Sequence, residues 1–224
     1  MRNLTAIPAP ILEDNVDTDV IFPARFLLLL ERAGLGRYAF FERRAADKAF
    51  PLDAAPWQGT SILVGGQNFG TGSSREQAVW SLADLGIRCV IAPSFGEIFF
   101  ANCFRNGVLP IVCVGDDLAM IEEDALEGRA ISVDLETQRV TSSTGVEIAF
   151  EISPHRKAAL LAGLDEVSAI LKDDIDAIAS YEASNASSAS WKMIQKDRME
   201  ALRDDIADGG VATIEKGKRR ADAG

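Results

Sequence analysis

Gly70, Gly72, Ser73, Ser74 and Arg75 crowd into the stretch NFGTGSSREQ, residues 68–77. Glycine lets a backbone approach a bound group closely, a helix beginning within the stretch offers amide donors and a positive end, and a guanidinium forks onto carboxylates. Together these features describe an anion site. A helix-end amide and Arg75 would also stabilise a Ser73 alkoxide, so capping and catalysis are compatible here. The same residues serve a structural need: Ser73 stands three before Glu76, as Ser94 stands three before Glu97, and both pairs match the capping box. Nucleotide templates fail, because a P-loop requires lysine after its last glycine and a dinucleotide fingerprint requires a third glycine where Arg75 stands.

Other candidates yield less. DNVDTD, Asp14 to Asp19, alternates acidic residues like a calcium loop, yet counted from Asn15 the sixth position is Val20 and the twelfth Phe26, where glycine and glutamate are needed. It reads as an acidic turn, or as a means of directing one carboxylate into a cleft. His155 follows Pro154 at a helix start and reads as a surface or capping residue, so there is no Ser-His-acid triad. Cys89, Cys103 and Cys113 fall in apolar segments and are expected to be reduced and structural. With no C-x-x-C pair and one histidine, the chain lacks the usual zinc or iron-sulfur ligand sets, so metal chemistry would need a partner chain.

The positioning elements follow from hydrophobic pattern. SILVGG, Ser61 to Gly66, reads as a buried strand and Ser74 to Leu85 as a helix ended by Gly86. CVIAP is the next strand, Phe95 to Asn106 a helix stopped by Gly107, with Phe99, Phe100 and Phe104 as core, and VLPIVCV a third strand. Strands alternating with helices at this spacing imply a parallel βαβαβ core with right-handed crossovers. After a short acidic helix, residues 130–151 alternate apolar and polar around Thr137-Gln138 and Thr144-Gly145, the mark of antiparallel strands. One or two helices follow. Ala183 to Ser190 reads as a small polar linker, and Trp191 to Ala207 as a last helix before a frayed end. The expected organisation is therefore an α/β domain over residues 1–183 and an extension over 184–224, partly helical or disordered.

Composition sets the remaining bounds. The 224 residues, 47% hydrophobic, can bury a substantial core. FLLLL, from Phe26, is closed by Glu31 and Arg32, no apolar run is long enough for a membrane span, and the start lacks a signal peptide's apolar region, which points to the cytoplasm. A net charge of −11 argues against nucleic acid. That charge lies almost wholly in the second half: residues 1–110 hold ten basic against eleven acidic residues, the basic ones nearly all arginine. Small anions are plausible ligands there.

Three segments, NVDTDVIFPARFL, GQNFGTGSSREQAVWSLADLGIRCVIAPSFGEIFFANCFRNGVLPI and LLAGLDEVSAILKDDIDAIASYE, together resemble the small subunits of 3-isopropylmalate dehydratase, which match the swivelling C-terminal domain of aconitase. The resemblance implies a swivelling β/β/α domain and reversible dehydration of a hydroxy-dicarboxylic acid, moving a hydroxyl between 2- and 3-isopropylmalate in leucine biosynthesis. It implies no cofactor on this chain and a separate large subunit carrying a [4Fe-4S] cluster. Residue by residue, Ser73 matches the serine that as alkoxide removes the carbon-bound proton. Arg75 matches the arginine that grips a substrate carboxylate, with Ser74 beside it. Asp19 matches an acidic residue at the cleft edge. Ala24 to Gly34 matches the loop that reads the substrate's side group, which makes Arg32 a further contact. The sequence departs from many family members at Thr71, where cysteine is common, at Gln77, where histidine is common, and in its leucine run, where a basic residue is common. The leucines favour an apolar substituent without choosing among isopropyl, methyl and dimethyl. Two other readings stay open: a related hydro-lyase acting on a methylated malate or citraconate-type acid, and a non-catalytic anion-binding or regulatory module.

Overall fold

The computed structural model describes residues 2–29, 31–163 and 166–188. The parallel sheet contains β2 (Ala9–Ile11), β3 (Ile62–Gly65), β4 (Cys89–Ala92) and β5 (Leu109–Val112), all parallel and in that order. Helices α3 (Glu76–Leu85) and α4 (Glu97–Arg105) make the crossovers, as the apolar runs and stop glycines predict. At Gly86 the stop is a left-handed cap with φ 105°, its amide bonding Leu82 and Ala83 carbonyls.

The strands are apolar throughout because both faces of the sheet are covered. Leu63, Val90 and Ala92 face a core with Ala78, Val79 and Leu82 of α3 and Phe99 and Cys103 of α4. Ile62, Val64, Cys89 and Ile91 face the other way, packing with Leu118, Ile121 and Ala125 of α5 (Gly115–Leu126). That second core is closed by an antiparallel sheet of β1 (Asn3–Ala6), β6 (Ile131–Asp134), β7 (Arg139–Thr141) and β8 (Glu147–Ala149), in the order β1-β6-β7-β8. Ile131, Val133, Val140 and Ile148 supply its buried face, and α6 (Pro154–Ala162) adds Leu160. On the first face, the short helices α1 (Thr18–Ile21) and α2 (Phe41–Ala46) accompany α3.

The chain divides into two compact units, residues 1–171 and 172–224. Helix α7 runs over Glu166–Ser188, so Ala183–Ser188, expected as linker, is helical: an alanine and serine run without glycine or proline has nothing to break it. The helix expected over Trp191 to Ala207 lies outside the described residues.

Both expected capping boxes are absent. Helices α3 and α4 begin at Glu76 and Glu97, preceded by Arg75 and Gly96 in extended conformations, and no side chain caps either. Neither serine hydroxyl bonds its helix. The Ser73 carbonyl accepts the Thr18 hydroxyl at 3.0 Å and the Arg75 amide at 2.8 Å, which turns the chain before the helix starts. The Ser94 hydroxyl accepts the Asn68 amide at 2.8 Å, tying two loops together. Glu76 meets Asn106 at 2.9 Å, at the end of α4.

Candidate active site

Three loops leave the carboxyl ends of the adjacent strands β2, β3 and β4, the end of a parallel sheet where ligands usually bind. The loop after β3 carries Ser73, Ser74 and Arg75. Its neighbours hold it: the Gly70 amide donates to the Val16 carbonyl at 2.7 Å, the Thr18 amide to the Thr71 carbonyl at 2.9 Å, and Phe69 exchanges bonds with Ser94 and Gly96. The two glycines have different tasks. Gly70, at φ 73°, is buried where a Cβ would lie 2.2 Å from the Phe99 ring, so it serves packing and not a ligand. Gly72, at φ 91°, is exposed, with nothing nearer than the Asp17 side chain at 3.5 Å. It alone leaves backbone open at the surface.

The loop after β2 adds α1. The Asp17 carboxylate accepts the amides of Asp19 and Val20 at 2.9 and 2.7 Å, so the segment expected as an acidic turn contains a capped helical turn. Asp19 follows in that turn, and one of its oxygens, Oδ1, accepts both the Ala24 amide at 2.7 Å and Nη1 of Arg75. The Arg75 side chain is 18% exposed and the Asp19 side chain 54%. The Arg75 bond holds the Asp19 carboxyl below its usual value, against a smaller opposing effect of desolvation. Among the described residues Arg75 makes no other side-chain hydrogen bond, so its Nε–Nη2 edge is free for a second carboxylate. The hydroxyls of Ser73 and Ser74 are exposed and, among the described residues, also without partners.

Ser73, Ser74, Arg75 and Asp19 are thus gathered at one place, and Arg32 is not joined to them. Its guanidinium lies 4.5 Å above the Trp80 ring, on the flank of α3. Arg32 also borders a cavity of about 590 Å³ with Arg88 and Arg105, at the far end of α3 from Ser73. That cavity is lined by none of Ser73, Ser74, Arg75 and Asp19, and Nη1 of Arg88 there bonds the Ala83 and Ile87 carbonyls, where a helix ends. The leucine loop presents Leu28 at 90% exposure beside a cavity of about 290 Å³ shared with Leu29, Leu35 and Tyr38. Its base is anchored by aromatic packing of Phe26 on Tyr38 and Phe41. Sequence reading missed Thr18, 2% exposed, whose hydroxyl holds the Ser73 carbonyl.

The cysteines do not fit an iron-sulfur cluster. Cys103 lies in the core on one face of the parallel sheet and Cys89 and Cys113 in the core on the other. Burial pushes all three thiols up, Cys113 to about 11, whereas cluster ligands are thiolates. Among the described residues no group of His, Cys, Asp or Glu could hold a metal ion, and no helix is long and apolar enough to cross a membrane.

Residues 2–114 match a family described as aconitase C-terminal domain, and residues 122–154 match one described as LeuD_N. A 3-isopropylmalate dehydratase small subunit from Rhodospirillum rubrum is 46% identical over 200 residues, covering 86% of this chain and 96% of its own length. One from Gluconacetobacter diazotrophicus is 47% identical over 196 residues, covering 84% and 94%. The crystal structure of a 3-isopropylmalate dehydratase from Methanocaldococcus jannaschii superposes with a TM-score of 0.62 at 28% identity, covering 80% of this chain and 99% of its own.

Proposed function

Because the chain belongs to the family of 3-isopropylmalate dehydratase small subunits, we propose that it acts in the cytoplasm as the cluster-free half of a hydro-lyase that interconverts 2- and 3-isopropylmalate in leucine biosynthesis. The observation that carries this reading is the exposed Ser73 beside an Arg75 that has one guanidinium edge free.

Arg75 holds a substrate carboxylate through Nε and Nη2 while Asp19 fixes Nη1. Ser73, as alkoxide, takes the proton from the carbon next to a carboxylate, and Arg75 neutralises charge as that bond breaks. The carbon acid is very weak, so the alkoxide must be formed and kept in a dry site. This chain alone provides no such place: the Ser73 hydroxyl is exposed and no base contacts it among the described residues. The large subunit would close over the loop and hold the [4Fe-4S] cluster, whose chemistry there would be Lewis acidity toward the substrate hydroxyl. Because the residues here do not fit that cluster, every step assigned to this chain is proton transfer or charge recognition. Among the described residues this cluster offers a dianion one guanidinium, already paired, with the Asp17 and Asp19 carboxylates close by, so the large subunit would supply further cations.

The exposed leucines at 28 and 29 suit an isopropyl group on the substrate. Arg32, stacked on Trp80, serves that loop's placement more directly than it serves the substrate. Reconstitution with a cluster-loaded large subunit and a panel of 2- and 3-alkylmalates tests the proposal: isopropylmalate should have the highest kcat/KM. Preference for methylmalate or citraconate would assign the related hydro-lyase, and no turnover on any of them would leave a binding module.

A further inference from the structure

We propose that Thr18 is a positioning residue for Ser73, an inference that rests on Ser73 being the base. Thr18 opens α1 and is 2% exposed, yet its hydroxyl leaves that helix and donates to the Ser73 carbonyl, 55 residues away, at 3.0 Å. Its amide donates to the Thr71 carbonyl at 2.9 Å. One residue therefore grips the loop on both sides of Gly72, the exposed glycine with φ 91° whose freedom would otherwise let Ser73 drift.

The residue type argues the same way. A buried β-branched position is filled equally well in shape by valine, and an unbonded buried hydroxyl is costly. Threonine is explained by the bond it makes. Helix α1 is itself fixed, because Asp17 accepts the amides of Asp19 and Val20, and the next residue, Asp19, holds Arg75. Consecutive side chains of one short turn thus hold residues 73 and 75, and set the proton acceptor and the carboxylate clamp at a fixed separation. Since proton transfer tolerates little misplacement, removing the Thr18 hydroxyl should lower the rate of chemistry while leaving recognition by Arg75 in place.

The test uses the complex with its large subunit and compares Thr18→Val, Thr18→Ser and Ser73→Ala. Thr18→Val should assemble, melt within about 4 °C of the parent, and lose about 30-fold in kcat with KM within about twofold. Thr18→Ser, which restores the hydroxyl, should recover kcat to within about threefold. Should Thr18→Val fail to assemble, Thr18→Ala carries the same expectation of a fall in kcat at constant KM. Parent-like kcat in the variants lacking the hydroxyl would overturn the proposal, as would a loss confined to KM or a serine variant as slow as valine. Ser73→Ala separates the two claims. If it retains turnover, the base assignment fails; if it is inactive while Thr18→Val is normal, only the positioning role fails.

Discussion

The carboxylate of Asp19 holds the guanidinium of Arg75 across 56 residues of sequence, and the same oxygen accepts the amide of Ala24. This bond joins the first residue of the leucine loop to the side chain proposed to grip the substrate. Asp19→Asn keeps the shape and removes the charge, so the Ala24 amide retains its acceptor while Arg75 is left with a neutral, weaker one. Catalytic efficiency on isopropylmalate should fall about tenfold in the reconstituted complex, without loss of assembly. Steady-state kinetics check this, and unchanged kcat/KM would show that Arg75 needs no such support.

Arg75→Lys preserves charge and removes the fork. An ammonium cannot bond Asp19 and present two parallel donors to a substrate carboxylate at once. Turnover measured across substrate concentration should show at least a hundredfold loss in kcat/KM. A loss below fivefold would mean that point charge suffices, and the clamp assignment would be wrong.

Asp124 is the most enclosed carboxylate described, with a side chain 1% exposed. Burial raises its pKa, but the Ser143 amide and hydroxyl and the Arg129 guanidinium outweigh it and hold the carboxyl below 3.8. A group lowered by folding stabilises fully above its unfolded value, and that stability drains away as pH falls through the folded one. Asp124→Asn should therefore cost about 2–3 kcal/mol at pH 7, and the gap between variant and parent should narrow as pH drops from about 5 toward 3.8. Urea midpoints across that range provide the measurement, and a gap independent of pH would deny the carboxylate this role.

The thiols make a separate test of the core. Cys89 and Cys103 are completely buried and Cys113 nearly so, and burial raises all three pKa values. At pH 8 the folded chain should resist an aromatic disulfide reagent that titrates three equivalents after unfolding in guanidinium. Rapid reaction of one thiol in the native chain would place that cysteine at the surface.

Continuous apolar runs and the stops at Gly86 and Gly107 made β3, α3, β4, α4 and β5 legible, since a doubly covered parallel sheet writes itself as unbroken hydrophobicity. Strands β1 and β2 were not read. Each is four residues or fewer, and Pro10 in β2 is a poor strand signal that survives because β2 lies at the sheet's edge, where a missing amide donor is tolerated. The capping boxes were present as patterns and absent as bonds: the Asn68 amide takes the Ser94 hydroxyl from a distant segment, and α3 starts at Glu76, with Arg75 and not Ser73 preceding it. Arg32 illustrates a similar limit: its spacing from the FP dipeptide says nothing of Trp80, which it covers. Thr18 left no local trace, since its partner is a backbone carbonyl far along the chain. What sequence expressed was the cluster's composition; what holds it together came from contacts between loops.

Turnover by the Ser73→Ala complex tests the central claim most directly. Because Ser73 is exposed and caps no helix, the substitution should change stability by less than about 0.5 kcal/mol, and the variant should assemble with its large subunit and bind isopropylmalate. Its kcat should fall by at least a thousandfold, since the proton acceptor is gone. Parent-like turnover in that assembled complex would contradict the account.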